Sequence, residues 1–138
     1  MQQARVYEMR LVVTADDYEE ALHFYRDVLG LKELAAFASE GGHVTILDAG
    51  AATLELADSR HAAFIDEVEV GRRVAGHVRV AFKVDDSAGL TQTLRKAGAT
   101  VLADVRRTPW NSLNSRFEAP AGLQLTLFSE PDSRSQNR

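Results

Sequence analysis

The sequence contains no cysteine. That excludes disulfides, thiolate nucleophiles and cysteine-held zinc or iron–sulfur centres together. No apolar run approaches the ~20 residues of a membrane-spanning helix, and the opening MQQARVYEMR lacks the apolar stretch of a secretion signal. The expected location is therefore the cytoplasm. Aromatic residues are few, with a single tryptophan, and the basic residues of the second half are not interleaved with them, so neither a nucleic-acid surface nor a membrane surface is indicated. No serine or threonine stands in a recognisable nucleophile motif, which argues against covalent catalysis.

What is present is ordinary globular material. The 138 residues are 45% hydrophobic and 26% charged, enough for one compact domain or two small repeated units sharing a core. A chain of this length buries roughly two thirds of its unfolded surface and needs no staples. The net charge of −4 is unevenly spread. Residues 1–70 hold five Lys/Arg against fourteen Asp/Glu, and residues 71–138 hold eleven against six. Halves of opposite sign can attract each other within one chain or between two.

Along the chain, residues 6–14 read as a strand, with Leu11 and Val13 on one side and Glu8, Arg10, Val12 and Thr14 on the other. Asp16 and Asp17 supply helix-capping carboxylates. Tyr18, Ala21, Leu22, Tyr25, Val28 and Leu29 then form an apolar helix stripe that Gly30 ends. Strand-like runs follow at 31–38, 43–47 and 52–57. Residues 58–75, polar with an apolar patch at 62–65, read as a connector. The order then recurs: a strand at 77–84, Asp85-Asp86 before a helix carrying Leu90, Leu94 and Ala97, Gly98 as a stop, and strands at 101–105, 113–117 and 123–128. Asp16 and Asp85 are 69 residues apart, and Leu54 and Leu125 are 71 apart. A repeat this regular predicts two βαβββ modules, 5–57 and 76–128, within a single domain over 1–130, followed by a disordered tail at 129–138.

One strand parity is apolar throughout: Leu11/Val13, Leu54/Leu56, Val78/Val80/Phe82 and Leu123/Leu125/Leu127. These residues belong under the helices. The other parity carries Glu8, Arg10, Thr53, Glu55, His77, Arg79, Gln124 and Thr126 at equivalent places in both halves. A sheet that curls with this face inward makes the polar wall of a cup, a natural ligand site.

The helix YEEALHFYRDVLGL and the late segment TPWNSLNSRFEAPAGLQLTLF resemble the first helix and closing hairpin of the vicinal oxygen chelate superfamily, which contains glyoxalase I, extradiol dioxygenases, fosfomycin-resistance enzymes and bleomycin-binding proteins. The resemblance covers about residues 5–130. It implies an α+β fold in which two βαβββ modules form curved mixed sheets around a cavity, the glyoxalase/bleomycin-resistance-like fold, and commonly a homodimer.

The resemblance also implies where a metal would sit. Metal-dependent relatives hold a divalent ion with His and Glu side chains from the first and last strands of each module. Those slots fall at Arg10, Glu55, Arg79 and Thr126, and arginine has no lone pair to donate. No metal and no cofactor are therefore expected. His77, two residues before Arg79 on the same strand face, is the alternative ligand, paired with Glu55. His23, His43 and His61 read as surface residues.

Arg10, Glu55, Arg79 and Thr126 converge if the modules assemble as in relatives. They form either a closed ion network or a site in which one arginine is left to hold a carboxylate, phosphate or enolate-like oxygen. Trp110 and Asn111, in the loop RRTPWN, are placed to cover and orient a planar ligand, with His77 nearby. The leading expectation is a metal-free protein binding a small organic molecule in an Arg-lined cavity, for sequestration or metabolite recognition. The alternatives are a lyase or isomerase using Glu55 as base and a metal-dependent lyase or dioxygenase. Two neighbouring cations are expected to lower the Glu55 pKa, which weighs against the base role.

Overall fold

The computed structural model describes residues 5–131. Eight strands form one sheet in the order β2-β3-β4-β1-β5-β8-β7-β6. The first module comprises β1 (Val6–Thr14), α1 (Tyr18–Leu22, continued by a π-helical turn at His23–Val28), β2 (Lys32–Ser39), β3 (Gly42–Asp48) and β4 (Thr53–Ala57). α2 (Ser59–Glu69) leads to the second module, β5 (Val78–Val84), α3 (Ser87–Lys96), β6 (Thr100–Arg107), β7 (Leu113–Ala119) and β8 (Leu123–Ser129). Within each module the first strand pairs parallel with the last, and the modules join where β1 and β5 pair antiparallel.

The aspartates cap as expected. Asp17 accepts from the Glu20 N–H and Asp86 from the Gly89 N–H, each at 3.0 Å. Most of the apolar parity packs under the helices in two cores, whereas Val78, expected there, is exposed at the start of β5. Leu22, Leu47 and Leu56 are buried with Val13 and Leu54 against them; Val84, Phe117 and Leu127 are buried with Phe82 and Leu125 against them. No helix among the described residues is long and apolar enough to cross a membrane.

Two differences from the sequence reading have clear physical causes. The stripe on the first helix holds only for its first turns. Leu29 N–H bonds the Phe24 carbonyl, five residues back, and this wider turn rotates later side chains off the 3.6-residue stripe. Val28 and Leu29 are exposed as a result. More consequentially, the segment read as a connector contains α2. Asp58 caps it, accepting from His61 N–H at 2.8 Å, and its buried face is Ala62, Ile65, Asp66 and Glu69. Half of that face is acidic, so no hydrophobic periodicity marks it. Ser129, read with the tail, is the buried last residue of β8; residues 132–138 lie outside the described residues.

Candidate functional site

The sheet register aligns the polar parity in rows. Val12 is opposite Glu55 on β4 and opposite Arg79 on β5. Ala81, opposite Arg10, is also opposite Thr126, which faces Arg116 on β7. Arg10, Val12, Glu55, Arg79, Ala81 and Thr126 line a cavity of about 800 Å³ together with Phe37, Val44, His61, Phe64, Trp110 and Asn111. The structure thus brings Arg10, Glu55, Arg79, Thr126, Trp110 and Asn111 together. It does not bring His77, which lies exposed before β5 and is not among the residues lining the cavity; its backbone carbonyl accepts from the Thr14 N–H at 2.9 Å.

The two arginines of the cup are in different states. Arg10 has a carboxylate partner: it pairs with Glu8, lies 3.8 Å from Glu55 and stacks over Phe128 at 4.5 Å from the ring centre. Arg79 is 9% exposed, and its one hydrogen bond among the described residues goes to a neutral group, Thr126 Oγ1, at 2.8 Å. No carboxylate lies within ion-pair distance of it there. Two strand spacings, about 10 Å, separate the Glu55 and Arg79 backbones. Burial depresses the Arg79 pKa while Glu69 and Glu55 act to raise it; a guanidinium remains charged regardless.

The nearby carboxylates are taken by a cluster that the sequence did not reveal. Arg116, fully buried on β7, donates to Glu69 through Nε at 3.0 Å and Nη2 at 2.7 Å, and to Asp66 through Nη1 at 2.8 Å. Asp66 also accepts from Arg73 and from the Val74 and Ala75 N–H groups. These partners hold its pKa below the ordinary carboxylate value against the opposing effect of burial. Glu69 further accepts from Asn114 and from the Thr126 hydroxyl at 3.1 Å. Thr126 therefore spends its proton on Glu69 and offers a lone pair to Arg79. The chain Arg116–Glu69–Thr126–Arg79 aims the guanidinium without neutralising it.

Glu55 corrects a further expectation. Burial raises its pKa above the ordinary value, and the charges of Arg10 and Arg79 only partly offset this. His61, read as a surface residue, is half-buried on α2 and lines the cup. Desolvation and the Arg79 charge lower its pKa, while a hydrogen bond to the Gly41 backbone and the Asp58 charge act the other way. The only signal for it was its place three residues after Asp58, the first turn of a capped helix. Trp110 stands half-exposed at the rim. Asn111 adopts φ +64° and accepts from Arg107, and its loop is tied to α2 through Ser112, Asn114 and Glu69.

The donor set of metal-dependent relatives does not fit this cup. Of the four slots only Glu55 is a ligand type, and two guanidiniums beside it repel a cation. Among the described residues no three His, Asp or Glu side chains are grouped to hold a metal ion.

A paired-module sheet curled around one polar-floored cup defines the class, and comparison with known proteins agrees. The family model for the Glyoxalase/Bleomycin resistance protein/Dioxygenase superfamily matches residues 9–127. The chain belongs to that superfamily. Solved structures with the same fold include a superfamily member from Vibrio splendidus 12B01 (14% identity, TM-score 0.67, covering 93% of this chain and 100% of that one). Methylmalonyl-CoA epimerase from Mycobacterium tuberculosis is also similar (19%, 0.60, 95% and 91%). So is the Streptomyces coelicolor methylmalonyl-CoA epimerase variant in complex with 2-nitronate-propionyl-CoA (21%, 0.61, 94% and 96%). No curated protein matches the chain.

Proposed function

We propose that this protein binds a small organic acid in its cup, without a metal, through the guanidinium of Arg79. The observation that carries the reading is the pairing pattern. Glu69 and Asp66 have cations and hydrogen-bond donors of their own and Glu55 lies 3.8 Å from Arg10, whereas Arg79 has one neutral hydrogen-bond partner among the described residues and borders the cavity. A buried, aimed guanidinium favours a carboxylate, phosphate or enolate-like oxygen by charge-assisted hydrogen bonding. Val12, Val44, Phe64 and Phe128 offer apolar wall for the rest of the ligand, with Trp110 and Asn111 at the rim. Sequestration or metabolite recognition needs no more than this. The test is a thermal-shift and calorimetric screen of carboxylates and phosphates. Saturable binding by acids that is lost in Arg79→Met supports the reading; binding of neutral or cationic molecules that ignores Arg79 refutes it.

A second reading is an isomerase or lyase in which Glu55 moves a proton. The raised pKa of Glu55 favours it, because a base poised nearer neutrality is a better acid–base catalyst. Arg79 then stabilises the oxyanion that develops beside the carbon losing the proton. The methylmalonyl-CoA epimerases with this fold make acyl thioesters the substrates to try first. Glu55→Gln separates the readings: a catalyst loses turnover and keeps binding, and a binding protein has no turnover to lose. A homodimer is also proposed, on the exposed Phe24, Val28, Leu29 and Leu34 and the exposed edge strand β2; light scattering giving a monomer mass at micromolar concentration refutes it.

A further inference from the structure

The acid-binding reading leaves one polar group of the cup unassigned. His61 lines both the main cavity and a recess of about 10 Å³ behind it, and Arg79 lines the same two spaces. A recess of that size holds about one small polar group, so the imidazole and the guanidinium stand close enough for one ligand to touch both. Apart from its contact with the Gly41 backbone, the ring makes no hydrogen bond among the described residues. The recess is otherwise bordered by apolar or small residues, chiefly Val12, Ala57, Ala62 and Ile65.

The chemistry of this pair is restrictive. With one ring nitrogen engaged at Gly41 and Arg79 adjacent, the imidazole is kept neutral, and its other nitrogen carries a lone pair. That nitrogen needs a donor. An ammonium donor is disfavoured by the Arg79 guanidinium, which leaves an uncharged donor, of which a hydroxyl is the smallest and suits the recess. We propose, resting on the reading that Arg79 holds the ligand's acid group, that His61 accepts a hydrogen bond from a hydroxyl beside that group, so that the cup selects hydroxy acids. The 2-hydroxycarboxylates are the simplest members of that class, with the two recognised groups on neighbouring carbons and the remaining chain lying along the apolar wall.

The experiment compares 2-hydroxyoctanoate with octanoate, which differ by the hydroxyl alone, by isothermal titration calorimetry. One added hydrogen bond is worth roughly a 3- to 10-fold preference, so the wild type is expected to bind the hydroxy acid tighter by that factor. His61→Phe is expected to bring the ratio to about one. Because that variant also loses the Gly41 contact, a second measurement uses the intact protein. The hydroxy acid, and not octanoate, shifts the 15N resonance of the His61 ring nitrogen that faces the cavity, a change that a merely structural histidine does not show. Equal affinities for the two acids, both abolished by Arg79→Met, overturn the role of His61 and leave the acid-binding reading standing. A preference that survives His61→Phe without a nitrogen shift does the same. Acid binding that is indifferent to Arg79, or no binding of either acid up to millimolar concentration, overturns both.

Discussion

Replacing Arg79 by methionine separates a ligand site from a closed ion network, because the two make opposite demands on stability. Arg79 is 9% exposed and makes one hydrogen bond, to Thr126. Exchanging buried ionic groups for apolar ones of similar volume is commonly neutral or stabilising by about 1–4 kcal/mol. Against that stands the lost hydrogen bond, about 1 kcal/mol. Thr126 is not orphaned, since its hydroxyl still donates to Glu69. Glu55 loses one favourable charge and takes up a proton more readily, which removes up to about 1 kcal/mol more. The net expectation lies between a loss of about 2 kcal/mol and a gain of about 3 kcal/mol. In a domain of this size that is a change in Tm between roughly −8 and +12 °C, read by circular dichroism and checked by urea unfolding, together with loss of acid binding. A loss of more than about 3 kcal/mol refutes the reasoning, because it means that Arg79 neutralises a buried carboxylate.

Arg116→Met is the contrasting case: it strips the pairs to Glu69 at 2.7 Å and Asp66 at 2.8 Å, and urea unfolding is expected to show a loss of about 3–5 kcal/mol. For Glu55 the folded pKa lies above the ordinary 4.5, so its contribution to stability is complete below that pH and disappears as pH rises through the folded value; Glu55→Gln is therefore expected to exceed the wild type in stability at pH 7 and to match it below pH 4.5. Gly42→Ala places a Cβ 2.5 Å from the His61 backbone nitrogen, against Asp58, at φ +86°. Unfolding is expected to show a loss of at least about 2 kcal/mol, and a smaller loss means that the start of α2 shifts easily.

The fold was legible because three local signals agreed: the apolar parity of the strands, the aspartate caps and the repeat. All are short-range, and each reappears in the structure at its place. The site was only half legible. Register puts Glu55, Val12 and Arg79 in one row, and strand parity predicts as much. The residues that decide what the row can do lie elsewhere. Glu69 and Arg116 are 47 positions apart, on a helix whose buried face looks polar and on a strand whose arginine looks exposed. A charge that is solvated and a charge that is buried against a distant partner look alike in one sequence. The direction of the Glu55 shift was hidden for the same reason, since burial outweighs the two cations and strand parity does not show how deeply a side chain is buried.

The repeat nevertheless held the clue to which arginine stays open. Arg10 and Arg79 are equivalent positions, and so are the residues two before them on the same strand face, Glu8 and His77. In the first module Glu8 reaches its arginine and pairs with it. In the second the equivalent side chain is a histidine that stays outside the cup, and the helix carboxylate Glu69 is committed to Arg116 and Asn114. One module is thus self-neutralised at its floor, and the other keeps a positive charge in reserve. The second copy of the supersecondary unit lacks the strand carboxylates that the first has at Glu8 and Glu55, with His77 and Thr126 in their places, and its arginine faces the cavity. An acid bound there would supply the direct ion pair that Arg79 lacks among the described residues, adding to the longer-range influence of Glu69 and Glu55.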